Sequence, residues 1–453
     1  MAKPCAQQLN QEKERKARSS LEKGRRESVK DIAMKFCLTN AKYLEAPVDV
    51  LVEDGHIVTM MPQGKLDQPA DCESVDAEGK VLLPSLTDCH VHLRDPGFEW
   101  KEDINTGLET AARGGFGRVM CMPNTKPVND NAAVTRYMLE KAAKTHPHGP
   151  FLYPVAAATP GLKCEGLSPL GELKEAGCIA VSNDGKPMSN TELMRRAMEY
   201  AWDLGLIFTD HCEDPQLAPD YLMNEGVVSA RLGVMGQPVV GEALQVARDC
   251  MLSEYLDIPV HIAHVSCAMA VDIIAWAKAR GTKVTAETCT HYLMLEESSM
   301  EDYNTLAKVN PPLRTAKDRA RVREAVKSGL IDIVVTDHAP HAAMEKETTL
   351  DLAPNGYTGM DLSLPLMWQL VRENVLDQSD IVRLMATRPN EIFKLPCNRF
   401  NPGDPADFIL FDPDLSWTVT KEALYSKSWN TPYLGQTIKG RVIHHWLGGV
   451  QLF

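Results

Sequence analysis

The chain has 453 residues, 44% of them hydrophobic and 24% charged, with a formal net charge of −13. That length exceeds one minimal domain and suits a (β/α)8 barrel with a smaller unit attached, while the acidic balance opposes non-specific binding to nucleic acid. No apolar stretch approaches the roughly 20 residues that span a bilayer and the polar N-terminus lacks a signal-peptide core, so a cytoplasmic location without membrane association is expected.

Residues 1–32 stand apart, because positions 13–26 are dense in charge and almost free of apolar residues. They read as a solvated, dispensable tail. From residue 34 the texture changes to short strands separated by turns, at 34–43, 48–52 and 55–60. The same texture returns at 408–411 and 440–447. Both ends are β-rich and the middle is not, which predicts a small β-sandwich assembled from 33–83 and 396–453.

The middle, 84–395, alternates. Apolar runs of strand length occur at 81–86, 118–122, 151–156, 178–182, 206–209, 259–263, 283–286 and 331–335. Stretches of helical spacing follow them, as at 192–204, where Leu193, Met194, Ala197, Met198 and Ala201 share one face. Eight buried strands interleaved with helices predict an α/β fold, the (β/α)8 TIM barrel. The competing doubly wound sheet lacks its Gly-x-Gly-x-x-Gly turn after the first strand. Twelve cysteines follow no repeated spacing. Cys89, Cys121, Cys178, Cys212 and Cys289 lie in or beside apolar runs, as reduced, buried thiols do.

Polar residues gather where the apolar runs end. His90 and His92 are two apart, so on an extended strand they point to one side and can share a metal ion. Asp184, His211, His264 and Asp337 stand at the ends of four later runs. The C-terminal ends of different barrel strands converge on one pocket, and core packing does not explain five such ends bearing His or Asp. His261 lies within its run and reads as a packed or supporting histidine.

These residues carry a resemblance. His-Val-His-Leu-Arg-Asp-Pro-Gly at 90–97, Met-Pro-Asn-Thr at 122–125, His-Cys-Glu-Asp at 211–214, His-Val-Ser at 264–266, Lys-Val-Asn-Pro-Pro-Leu-Arg at 308–314 and Thr-Asp-His-Ala-Pro-His at 336–341 resemble the class I dihydroorotases of the amidohydrolase superfamily. The likeness runs from about residue 34 to the end, in family order. It implies a zinc-dependent barrel with one or two ions, two being favoured. His90, His92 and Asp337 match the ligands of the first ion, His211 and His264 those of the second, and Asp184 the carboxylate that bridges them. Lys186 is the weaker bridging candidate. The resemblance further implies reversible closure of N-carbamoyl-L-aspartate to dihydroorotate with loss of water, in pyrimidine biosynthesis. Asp337 is then the catalytic proton carrier, while Arg94, Asn124 and His341 hold the substrate carboxylate and Asn310 the ring.

Two stretches depart from the family pattern. Glu-Thr-Cys-Thr-His-Tyr-Leu at 287–293 is closer to hydantoinases and allantoinases, and 355–362 lacks the usual Gly-Leu-Glu-Thr. An allantoinase or hydantoinase is therefore the alternative enzyme. A metal-free partner of aspartate transcarbamoylase is the alternative of another class, opposed by the presence of all six candidate ligands. A homodimer and association with aspartate transcarbamoylase are implied by the resemblance alone. A chain starting at Met34 is expected to fold and work.

Overall fold

The structure, a computed structural model, describes residues 35–453. The expectations for the tail at 1–32 and for a start at Met34 lie outside the described residues. In chain order the strands are β1 Lys35–Tyr43, β2 Ala46–Glu53, β3 His56–Pro62, β4 Glu73–Asp76, β5 Val81–Pro84, β6 Leu86–Val91, β7 Phe116–Cys121, β8 Phe151–Ala157, β9 Ala180–Ser182, β10 Ile207–Asp210, β11 Met223–Asn224, β12 Gly236–Gln237, β13 Val260–Ile262, β14 Val284–Cys289, β15 Ile333–Val335, β16 Phe408–Thr418, β17 Thr437–Leu447 and β18 Val450–Gln451.

Eight of them form the barrel, in the order β6-β7-β8-β9-β10-β13-β14-β15, and every neighbouring pair is parallel. The ring closes just beyond the ends of β6 and β15. There Val91 bridges His338 in parallel, and His92 N donates to His338 O at 2.8 Å. A helix follows each strand, for example Ile104–Gly114 after β6, Thr191–Asp203 after β9 and Met360–Arg372 after β15. Strands covered by helices outside and side chains inside must be apolar on both faces, and β6, β7, β9, β13 and β15 are buried at every position. The helix read at 192–204 starts where Asn190 accepts from the backbone N–H groups of Glu192 and Leu193, leaving few orphan donors at that end.

One expectation is corrected. The apolar run at 81–86 is not the first barrel strand. It is split, with Val81–Pro84 pairing antiparallel with β16 and Leu86–Val91 entering the barrel. Ser85 sits between them, its N–H bonded to Asp407 O at 3.0 Å. The true first strand carries Asp88 and His90, and these polar residues disguise it as a strand end. The other seven runs fall on barrel strands.

The terminal strands make one continuous sheet in the order β18-β17-β16-β5-β1-β2-β3, with β4 added beside β1. Phe36, Leu38, Val50, Val52, Leu82, Phe408 and Trp446, drawn from both ends of the chain, share one apolar cluster. β5 stands between the N-terminal and C-terminal contributions and leads directly into β6, which couples this sheet to the barrel.

Candidate metal centre

His90 lies at the end of β6 and His92 just past it. Asp184 follows β9, His211 follows β10, His264 follows β13 and Asp337 follows β15. All are buried, and all face the C-terminal mouth of the barrel. Two groups of ligand atoms share Asp184: His90, His92 and Asp184 form one, Asp184, His211 and His264 the other, each with its atoms within 4.8 Å of one another. Asp184 Oδ1 is 3.3 Å from His90 Nε2 and 3.6 Å from both His211 Nδ1 and His264 Nε2, and its Oδ2 is 3.6 Å from His92 Nε2. Asp337 Oδ1 is 3.1 Å from His92 Nε2 and 3.8 Å from His90 Nε2. Lys186 is exposed, so Asp184 alone occupies the shared position.

For three of the four rings, neighbours settle which nitrogen faces the centre. His90 Nδ1 is 2.7 Å from Glu287 Oε1, His92 Nδ1 is 2.9 Å from Asn124 Oδ1, and His211 Nε2 is 2.7 Å from Glu213 Oε2. A carboxylate or amide oxygen only accepts, so each of these nitrogens carries the hydrogen and the opposite nitrogen presents its lone pair to the centre. Glu213 and Glu287 were not singled out from the sequence. Glu213 sits inside the His-Cys-Glu motif, and Glu287 is a carboxylate within the buried strand β14, which was the available signal. His261 is buried and shares Glu287, with Nε2 3.1 Å from Oε2.

The electrostatics favour cations. Burial opposes charge on His211, but the carboxylates of Asp184 and Glu213 overcome it and raise its pKa to about 10. Burial is likewise outweighed at His90, lifted well above its usual range by Asp184 and Glu287, and at Asp184, held well below its range by His90, His211 and His264. His90 Nε2 and His264 Nδ1 are buried without a hydrogen-bond partner. Imidazole lone pairs converging on a shared carboxylate are the donor set of a borderline divalent cation, so these residues fit such an ion.

The candidate substrate residues divide. Arg94 and His341 come together beside the centre, Arg94 Nη2 lying 3.3 Å from His341 Nε2. Lys101 Nζ donates to His341 Nδ1 at 3.2 Å, so His341 Nε2 carries hydrogen and donates to Asn355 O at 2.8 Å. Arg94 Nη2 therefore gains no acceptor from His341. Its Nε donates to Pro340 O at 3.1 Å, which fixes the guanidinium plane. Burial, with the Arg94 and Lys101 charges adding, lowers the His341 pKa to about 3 and keeps the ring neutral. Asn124 is turned toward His92, as described, with its amide nitrogen beside the Asp184–Gly185 turn. Asn310 sits at the other end, donating to Glu213 Oε2 at 2.9 Å and accepting from the Tyr221 hydroxyl. The departing segment at 355–362 packs on this site through Asn355 O and through a bridge between Tyr357 and His338.

A family model described as Dihydro-orotase-like matches residues 79–269. A dihydroorotase of Syntrophotalea carbinolica is 47% identical over 416 residues, covering 90% of this chain and 97% of the relative. The chain belongs to the dihydroorotase family. A dihydroorotase of Trichlorobacter lovleyi is 46% identical, with 90% and 96% covered. Among solved structures, an L-hydantoinase from Arthrobacter aurescens superimposes with a TM-score of 0.81 at 22% identity, over 92% of this chain and 96% of that one. A dihydropyrimidinase from Brevibacillus agri gives 0.75 at 23% identity, over 92% and 95%. At that identity the likeness is one of fold. Dihydroorotases hydrolyse a cyclic amide, and the chain is a metal-dependent enzyme of that kind. Among the described residues, no helix is long and apolar enough to cross a membrane.

Proposed function

We propose that this enzyme is a cytoplasmic zinc dihydroorotase that interconverts N-carbamoyl-L-aspartate and (S)-dihydroorotate in de novo pyrimidine synthesis. The observation that carries the reading is Asp184 shared between the pair His90–His92 and the pair His211–His264. His90, His92 and Asp337 would hold one ion, His211 and His264 the second, and Asp184 both. Bound zinc supplies Lewis-acid polarisation of a carbonyl and a water of lowered pKa.

The chain's own residues do the rest. Asp337, whose Oδ1 lies 3.1 Å from His92 Nε2, takes a proton from the attacking water and delivers it to the ring nitrogen as the C–N bond breaks. In the synthetic direction it receives the proton from the carbamoyl nitrogen as the ring closes and water leaves. Arg94, its plane fixed by Pro340 O, offers its terminal nitrogens to the substrate carboxylate as a fork. The His341 ring, its Nε2–H held on Asn355 O, and the Asn124 amide flank that carboxylate, and Asn310 reads the ring edge. The barrel strands with their helices form the catalytic unit, and β1–β5 with β16–β18 the small β unit. A homodimer and an association with aspartate transcarbamoylase complete the proposal, and sedimentation of the mixed proteins tests them. Independent migration of a fully active single chain would count against both.

The deciding experiment measures bound zinc and turnover of dihydroorotate, hydantoin and allantoin by purified protein, beside His90→Ala. Zinc in the parent, with dihydroorotate preferred, and loss of both in the variant are expected. Preference for hydantoin or allantoin, or full turnover by zinc-free His90→Ala, would overturn the reading.

A further inference from the structure

Beside the centre lies a third group of ligand atoms, in which two side chains that the reaction does not use, Cys289 and His291, meet Asp337. Cys289 ends β14, His291 lies two residues on, and the thiol of Cys289, a ring nitrogen of His291 and a carboxylate oxygen of Asp337 lie within 4.8 Å of one another. His291 is 1% exposed, and neither of its ring nitrogens has a hydrogen-bond partner. An imidazole buried in this way forfeits the bonds it makes to water, at a cost of about 1–3 kcal/mol for each unsatisfied group. Its ring centroid lies 4.2 Å from that of Tyr292, tilted, and 5.1 Å from that of Tyr357, edge to face, so two aromatic neighbours hold its direction.

We propose that Cys289, His291 and Asp337 form an auxiliary site for a thiophilic divalent cation, occupied when such metal is in excess. One thiol, one imidazole and one carboxylate suit zinc, cobalt or cadmium and not magnesium or calcium, which require oxygen ligands. Binding releases the thiol proton to solvent and forms a bond between thiolate sulfur and metal. Asp337 Oδ1 already faces His92, so the auxiliary ion draws on the same carboxylate that carries the proton in catalysis. Two consequences follow, both resting on the metal-centre reading for Asp337. The site fills after the shared centre, because a further cation is repelled by those already bound. Filling it also suppresses turnover, since Asp337 is then clamped from both sides.

The shared centre contains no sulfur, which gives the test its signature. Cobalt(II) chloride added to full-length protein already loaded with metal should produce a near-ultraviolet band of thiolate-to-cobalt charge transfer, together with one additional bound ion per chain. Cys289→Ser should remove the band and the extra ion. His291→Asn should weaken the extra ion about tenfold or more, the scale on which loss of a supporting group alters metal affinity. Cys212→Ser, which alters the other buried thiol–carboxylate group formed with Asp210 and Asp249, should retain both. Excess zinc should inhibit the parent, and Cys289→Ser should need about tenfold more. A band that survives Cys289→Ser, a band lost in Cys212→Ser instead, or parent protein that takes up no ion beyond its shared centre would overturn the proposal. The parent titration decides alone if a variant fails to fold. Failure of the metal-centre reading would look different, as histidine-carboxylate sites that never fill.

Discussion

Three imidazoles of the centre, His90, His92 and His211, use one nitrogen on an outer neighbour and turn the other to the centre, and the carboxylates around them have consequences for pH. In the metal-free protein the His211 pKa stands at about 10, above an ordinary 6.5. A raised folded-state pKa contributes stability that is complete below 6.5 and lost as pH climbs toward 10. The metal-free protein should therefore melt at a lower temperature at about pH 9 than at about pH 7. Metal uptake displaces those protons, so apparent metal affinity should rise across the same interval. Calorimetric melts and metal titrations at both pH values check this pair of opposite trends, and parallel trends would refute it. At Arg94, replacement by methionine removes the fork and keeps most of the volume. We expect kcat/KM for dihydroorotate to fall about a hundredfold, the scale of a charged hydrogen bond of about 3 kcal/mol, with zinc content unchanged. Unaltered kinetics would remove Arg94 from substrate binding. That the six candidate ligands gather in one place was legible because histidine and aspartate at the ends of apolar runs have no packing explanation. Glu213 and Glu287 were not, because their work is done through another side chain and needs the third dimension to be seen.

At the scale of the element, the site is built from strand exits that turn sharply. Arg94, His264 and Asp337 have φ of 62°, 33° and 48°, in the left-handed region that costs a non-glycine residue about 1–3 kcal/mol. The barrel sustains that strain where chemistry needs side chains redirected into the mouth. The turn after Arg94 relies on Gly97, with φ of 98°, whose α-carbon lies so close to the Lys126 carbonyl that a Cβ there would overlap it. Gly97→Ala must push the segment after β6 away from the one after β7, and so move Arg94 and Asn124 apart. Kinetics should show a raised KM and lowered kcat/KM while bound zinc stays near the parent value. Parent-like kinetics would show that this contact does not set the substrate geometry. Seven barrel strands were legible as apolar runs. The first was misread because Val81–Pro84 and Leu86–Val91 are continuous in sequence but belong to different sheets.

For the whole molecule, the join between sheet and barrel is polar and buried. Arg118 on β7 pairs with Asp407, just before β16, at 2.5 Å, both nearly inaccessible to solvent. Ser85 Oγ lies 2.8 Å from His445 Nε2, and His445 Nδ1 lies 2.8 Å from Ala112 O. Removing one member of a buried pair leaves the other charged and unpaired, so Asp407→Ala should cost about 3–5 kcal/mol of stability. Urea unfolding measures this, and a loss within error of zero would mean that water or another group compensates Arg118. The small β unit was legible in outline from the matching textures of the two ends, but not its strand order, since nothing local says which N-terminal strand meets which C-terminal one.

That strand order also constrains how the protein is made. β5 is bonded on one edge to β1, which leaves the ribosome before it, and on the other to β16, which leaves only after the whole barrel. Until then a buried strand has an open edge, and Leu82 lacks Phe408 and Trp446, which share its apolar cluster. Because such non-local pairings are slow and their unpaired edges are sticky, the nascent chain must carry that edge through translation of the entire barrel before β16 arrives to cover it.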